Sequence, residues 1–233
     1  MVDVRLKAGP SAAAIGRESA DARFERMYKE VRQRICRLRY PPGTILNEND
    51  LASEFGVSRT PMRRVLQRLN FDGLVETRNG VGTVVTDPDL KTYREIYSLR
   101  MKLAEMIGEL SPIDAPESKV PAFEELLGRC DALPRVANLR ALSDVHFGVQ
   151  NAILDVIGSG ALREMSEWLY YRTARIWQVV LPGLDWAAEV EFARSEIVEI
   201  IRALKLGDIK AVGLIRRNYI AMALARMSQY LSG

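Results

Sequence analysis

Four arginines, Arg59, Arg63, Arg64 and Arg68, fall between Glu54 and Asp72 in a stretch without a single acidic residue. Guanidinium groups grouped in this way make a positive surface suited to phosphates, and their paired N–H donors match the edge of a guanine base. A solvated helix face would carry the same residues, and charge alone does not separate the two readings. The bias is local: residues up to 87 hold 15 Lys and Arg against 11 Asp and Glu, and the rest of the chain 18 against 19. The single histidine, His146, and the two cysteines, Cys36 and Cys130, exclude a multi-histidine or cysteine-rich zinc site by count. The cysteines follow no CxxC spacing, which suits reduced thiols in a cytoplasm. No Gly-rich phosphate loop, GxSxG or nucleophile–base pairing occurs, so an enzyme is not expected.

The arginines need an element to present them. Phe24, Met27, Tyr28, Val31, Ile35 and Leu38 recur at helical spacing, predicting an amphipathic helix that ends before Pro41-Pro42-Gly43. Asn47 is placed to cap a short helix from Glu48 to Phe55, Gly56 to break it, and Ser58 to cap a third helix reaching about Asp72, with Pro61 in its first turn. Two short helices across a tight Gly-Val-Ser turn are a helix-turn-helix. In the third helix Met62, Val65, Leu66 and Leu69 form one apolar stripe, and at about 100° per residue Thr60, Arg63, Arg64, Gln67 and Arg68 point away from it. Asn79-Gly80 between two β-prone runs then predicts a hairpin, which completes a winged helix.

The whole chain of 233 residues is 48% hydrophobic, an ordinary globular composition. Its apolar runs fall far short of the ~20 residues that span a bilayer, and its first twenty residues lack the apolar core of a leader, so no membrane association is expected. Residues 1–20 read as a flexible arm, residues 21–87 as the winged helix, and residues 88–233 as a second, all-helical domain. Helices are predicted at about 88–110, 116–132, 136–157, 160–181, 185–205 and 208–231, separated by Pro112, Pro134, Gly158-Ser159-Gly160, Pro182-Gly183 and Gly207. The fold class is therefore mainly α, a winged helix-turn-helix followed by an antiparallel bundle of about six helices.

Polar residues on the apolar stripes of that bundle need partners. His146 and Gln150 share a face with Leu139, Leu142, Val149 and Ile153; Tyr219 is in phase with Val212, Ile215 and Met222. Arg100 lies among Ile96, Tyr97, Leu103 and Ala104, where a cation is costly unless it meets an anion. Arg100 with Arg172 or Arg175 would clamp a carboxylate, whereas an internal ion pair with Glu105 or another helix is the structural alternative. His146 is open to the same two readings, a satisfied core histidine or a group facing a ligand. Trp168, Tyr170, Tyr171, Trp177 and Trp186 concentrate aromatic weight on one helix and its sequel, as core, as dimer interface or as a ligand stack.

The segment Leu51-Ala-Ser-Glu-Phe-Gly-Val-Ser-Arg-Thr-Pro-Met-Arg-Arg-Val-Leu66, then Leu69, Asp72-Gly73-Leu74-Val75 and Arg78-Asn-Gly-Val-Gly-Thr-Val-Val85, resembles the GntR family of bacterial transcription regulators. The likeness covers about residues 22–86. The helical remainder resembles the ligand-binding domain of the fatty-acid-regulator subfamily in helix number and in Gly207-Asp208 before the last helix. The resemblance implies DNA contacts at Asn49, at Ser58, Arg59, Thr60 and Arg63, and at the wing tip Asn79-Gly80. Asn49 stands where an arginine is expected. In many such relatives a divalent metal is held at positions that fall here on His146, Gln150, Ile197 and Tyr219. Isoleucine cannot ligate a metal, and Gln and Tyr replace imidazole poorly, so no metal and no cofactor are expected.

These readings describe a cytoplasmic homodimer that binds a pseudo-palindromic operator in double-stranded DNA, acts as a repressor and responds to a small organic acid, a carboxylate, held by Arg100, His146, Gln150, Arg172, Arg175 and Tyr219. The alternative is a constitutive or architectural DNA-binding dimer whose bundle only dimerises.

Overall fold

The computed structural model describes residues 19–133 and 135–232. The expected arm, up to residue 18, and the expected separator Pro134 lie outside the described residues. Helix α1 (Ala20–Cys36) starts where Ser19 Oγ accepts the Ala22 amide at 3.1 Å, and it buries Met27, Val31 and Ile35 completely. It ends earlier than the proline run suggests, because Leu38 turns into the left-handed region at φ +55°. Helix α2 (Glu48–Glu54) is capped by Asn47, whose Oδ1 accepts the Asn49 amide at 2.8 Å. Helix α3 (Arg59–Phe71) buries Met62, Val65, Leu66 and Leu69, the stripe read from the sequence. Ser58 stands at its N-cap position, but the hydroxyl makes no capping hydrogen bond.

Strands β2 (Val75–Arg78) and β3 (Gly82–Val85) pair antiparallel, with Val75 opposite Val85 and Arg78 opposite Gly82, and Gly80 at φ +75° makes the turn. A two-residue strand β1 (Ile45–Leu46) adds to β3, giving the order β1-β3-β2. Two residues carry no readable period, so this strand was not visible in the sequence.

The second half is a helical bundle of α4 (Tyr93–Glu105), α5 (Val120–Asp131), α6 (Leu139–Leu154), α7 (Gly160–Val180), α8 (Trp186–Lys205) and α9 (Ile209–Ser232), with 3-10 turns over Pro116–Lys119 and Leu181–Gly183. Helix α4 starts later than residue 88 because Asp89 turns back to accept the amides of Lys91 and Thr92 at 2.9 and 3.2 Å. Asn138, Ser159, Asp185 and Asp208 accept amides at the starts of α6, α7, α8 and α9. Helix α9 packs against α4 and α8, and α5 against α8. The α4–α9 approach is close enough that a Cβ on Gly213 would lie 2.5 Å from the Ala104 carbonyl oxygen.

The hydrophobic clusters do not divide at the boundary between the two halves. The cluster that holds Met27, Val31, Ile35 and Leu69 of the winged helix also takes Phe147 from α6 and Tyr170, Tyr171 and Ala174 from α7. Polar contacts follow the same junction. Asp72 accepts from Tyr28 OH at 2.6 Å and from Trp168 Nε1 at 3.2 Å; Arg32 pairs with Glu167 and Arg37 with Asp144.

Candidate DNA-reading face and ligand cavity

The N-terminal turn of α3 presents Ser58, Arg59, Thr60 and Arg63 to solvent, beside the exposed Asn49 on α2. The wing tip, Asn79-Gly80, is exposed as well. Glu48, the first residue of α2, reaches both recognition-helix arginines: its Oε1 lies 3.3 Å from Arg59 Nε and its Oε2 3.2 Å from Arg63 Nε. Burial opposes ionisation of Glu48, but hydrogen bonds and charges from Arg63 and Arg59 outweigh it and hold the carboxyl below its usual range. Both contacts are made through Nε, and both side chains stay more than half exposed, so Glu48 does not occupy the terminal Nη pair, the pair that docks on guanine O6 and N7. Arg64 and Arg68 are engaged with their own fold instead. Arg64 leans over the Phe24 ring at 5.4 Å, and Arg68 lies 3.6 Å from Asp72 with its guanidinium over Tyr28 and Phe71.

In the bundle, α4, α6, α7, α8 and α9 surround a small cavity of about 60 Å³ that is partly open to solvent. Arg100 lines it, buried to 8% exposure, with its Nη1 donating to Thr173 Oγ1 at 2.9 Å and its guanidinium over the rings of Tyr97 and Tyr170 at 4.7 and 5.2 Å. No carboxylate pairs with it among the described residues. Burial pushes its pKa down, the ring of Tyr97 opposes that, and the Arg216 charge adds to it. Arg216 also lines the cavity but is neutralised, donating to Glu196 Oε1 at 2.6 Å and to Gln150 Oε1 at 2.7 Å. His146 packs on Trp177 with ring centroids 4.2 Å apart, and its Nε2 is sealed from solvent without a hydrogen-bond partner. Burial, with the Arg216 and Arg226 charges behind it, pushes the imidazole down to about 3, so it is neutral at physiological pH. Tyr219 donates to Glu199 at 3.1 Å and meets Phe192 at 4.9 Å between centroids.

Residues 24–85 match the model of bacterial regulatory proteins, gntR family. This segment is a GntR-family helix-turn-helix. The chain is 32% identical over 104 residues to an uncharacterized HTH-type transcriptional regulator, YdhC, of Bacillus subtilis (strain 168), covering 45% of this chain and 46% of that protein. It is 37% identical over 84 residues to the gluconate operon transcriptional repressor of the same organism, covering 36% of this chain and 34% of that one. The chain thus spans less than half the length of these curated relatives, whose names describe regulators and not enzymes. The structure of E. coli McbR/YncC superposes with a TM-score of 0.74 at 19% identity, covering 89% of this chain and 97% of that chain, which shows that the whole fold is shared.

The structure brings together some of the residues singled out from the sequence and separates others. Arg100, His146 and Tyr219 line one cavity. Gln150 lies beside it, lining a smaller adjoining space with Arg100 and Arg216. Arg172 and Arg175 do not join Arg100 in a clamp. Arg172 lies over Trp168 of its own helix at 5.0 Å, and Arg175 donates to the backbone oxygen and hydroxyl of Thr86, at the junction with the winged helix. The internal pair of Arg100 with Glu105 is not formed either; Glu105 holds Lys102 and Arg217. Leu139 and Met222, placed on the inward stripes, are 37% and 44% exposed: Leu139 is the first residue of α6, and Met222 lies within α9 with its side chain outside the core. The residues at the positions of the resembled metal site do not fit a metal: Gln150 is occupied by Arg216, Tyr219 donates to Glu199, and Ile197 is fully buried. A divalent cation there would meet a guanidinium. Glu48, Glu196 and Arg216 were not singled out from the sequence, because each acts through a partner on another helix; the only trace was Arg216 lying one turn before Tyr219.

Proposed function

We propose that this chain is a homodimeric, ligand-responsive transcription repressor that works in the cytoplasm on a pseudo-palindromic operator. The observation that carries the DNA-reading part is the pair Arg59 and Arg63, exposed at the start of α3 and both held through Nε by Glu48. Each GntR-type head would place α3 in a major groove, with Ser58 and Thr60 toward phosphates at the helix N-terminus and Asn79-Gly80 of the wing beside them. The ligand-responsive part rests on the cavity around Arg100, consistent with the helical domain of the fatty-acid-regulator subfamily. A ligand shifts the DNA-bound state only by its difference in affinity for the two arrangements of the heads. A dimer supplies the two-fold symmetry that a pseudo-palindrome mirrors. The relative named gluconate operon transcriptional repressor, similar over about a third of each chain, supports repression.

Footprinting of the purified chain on DNA upstream of its own and adjacent genes, at several salt concentrations, tests this reading. The expected result is a protected pseudo-palindrome whose affinity falls steeply with salt. Diffuse protection without a preferred site would contradict it.

A further inference from the structure

The cavity wall carries three charged side chains, Arg100, Arg216 and Glu196. Glu196 cancels Arg216 at 2.6 Å, and His146 stays neutral because its pKa lies near 3. The wall therefore has an excess of one positive charge, located at Arg100, which is costly to bury without an anion. Around that charge the wall is built from rings: Tyr97, His146, Tyr170, Trp177, Phe192 and Tyr219. Flat side chains from α4, α6, α7, α8 and α9 bound a space suited to a flat guest, with edge and face contacts of the kind aromatic pairs prefer. His146, whose Nε2 is buried without a hydrogen-bond partner, is the one neutral imidazole in this wall. With Gln150 held by Arg216 and Tyr219 donating to Glu199, the charge on the wall comes from guanidinium and not from a metal ion.

We infer that the effector is a single-ring aromatic monocarboxylate, bound without a metal, its carboxylate on the Arg100 guanidinium and its ring against the aromatic wall. The inference rests on the ligand-responsive reading above and narrows its chemistry. The planar guanidinium fork takes a carboxylate through two parallel N–H···O bonds. One buried positive charge accepts one negative charge; a dianion would bring a second charge into a wall with nothing left to neutralise it. The bound ring then takes the place of solvent against Trp177 and Tyr170.

Calorimetric titration of the full-length protein, in buffer containing EDTA, with benzoate, cyclohexanecarboxylate, benzamide, hexanoate and succinate separates the components of this inference. Benzoate is expected to bind at least about tenfold more tightly than cyclohexanecarboxylate, which matches its charge and size but lacks the π face, and more tightly still than the neutral benzamide. Arg100→Met is expected to abolish benzoate binding while melting at the same or a higher temperature than the unliganded parent, because an unpaired buried cation has been removed. Should that variant not fold, Arg100→Lys keeps the charge, loses the planar fork and should weaken benzoate about tenfold or more. Succinate or hexanoate binding in preference to benzoate, benzamide matching benzoate, or loss of binding with EDTA would overturn the assignment and leave the sensor reading standing. Unchanged benzoate binding in Arg100→Met would overturn the role of Arg100. No binding of any acid in the panel, with or without added divalent metal, would overturn both this assignment and the sensor reading.

Discussion

Arg59 and Arg63 each give Nε to Glu48, and a single carboxylate thereby fixes two guanidinium groups at the entrance to α3. Arg59→Ala should cost about 1 to 3 kcal/mol of operator affinity and weaken random DNA less, because a base contact is lost together with one positive charge. Fluorescence anisotropy with operator and random duplexes checks this; equal losses on both would remove the base-reading role. Glu48→Gln should act in the opposite sense on random DNA, tightening it as a negative charge leaves the interface, while the ratio of operator to random affinity falls. An unchanged ratio would show that Glu48 does not pre-set the arginines. The exposed arginines were legible in the sequence because a helix repeats by about 100° per residue and the apolar stripe fixes which side is free. Glu48 was not legible, since its partners lie 11 and 15 residues away on another helix. His146 has its own pH signature. Its folded-state pKa is near 3, below the unfolded value of about 6.5, so the unfolded chain binds the extra proton in that window. Its contribution to stability is complete above pH about 6.5 and is lost as pH falls toward 3. Chemical denaturation at pH 7 and 4.5 should therefore show a smaller loss for His146→Gln than for the parent; an equal loss would place the proton uptake elsewhere.

Helix α7 is buried on two sides. Tyr170, Ala174 and Trp177 face the cavity, while Trp168, Tyr171 and Arg175 meet the winged helix at Asp72, Arg32 and Thr86. Its aromatic weight was plain from the sequence, but its division between cavity and junction was not, because aromatic residues spread over more than one face of the helix give no single phase to read. The same ambiguity put Arg172 and Arg175 beside Arg100. Tyr171→Ala removes a ring that stacks 3.6 Å from the Arg32 guanidinium, and it should loosen the head from the bundle. Hydrogen exchange is expected to accelerate in α1 and to stay unchanged in α5 and α8; equal acceleration throughout would mean general destabilisation. The α4–α9 contact is testable in the same way. Gly213→Ala would push a methyl group to 2.5 Å from the Ala104 carbonyl oxygen, and the overpacking should outweigh the gain in helix propensity, for a net loss of about 1 to 2 kcal/mol. A variant as stable as the parent in urea would show that the two helices slide apart at no cost.

At the scale of the molecule, both halves were visible from the sequence, the winged helix from its caps, stripe and Asn-Gly turn, the bundle from its helical periods and Gly and Pro breaks. The apolar cluster that joins them was not, because Phe147 and Tyr171 look the same in sequence whether they meet their own helices or another domain. That shared cluster makes the head continuous with the helices that line the cavity. No helix among the described residues is long and apolar enough to cross a membrane. The proposed role of the whole chain depends on specific DNA reading by the α3 face. Selection of bound sequences from a random duplex pool, run in parallel with the parent and Arg59→Ala, tests it most directly. The predicted result is one pseudo-palindrome enriched by the parent and a relaxed or altered sequence from the variant; no enriched sequence, or the same one from both proteins, would contradict it.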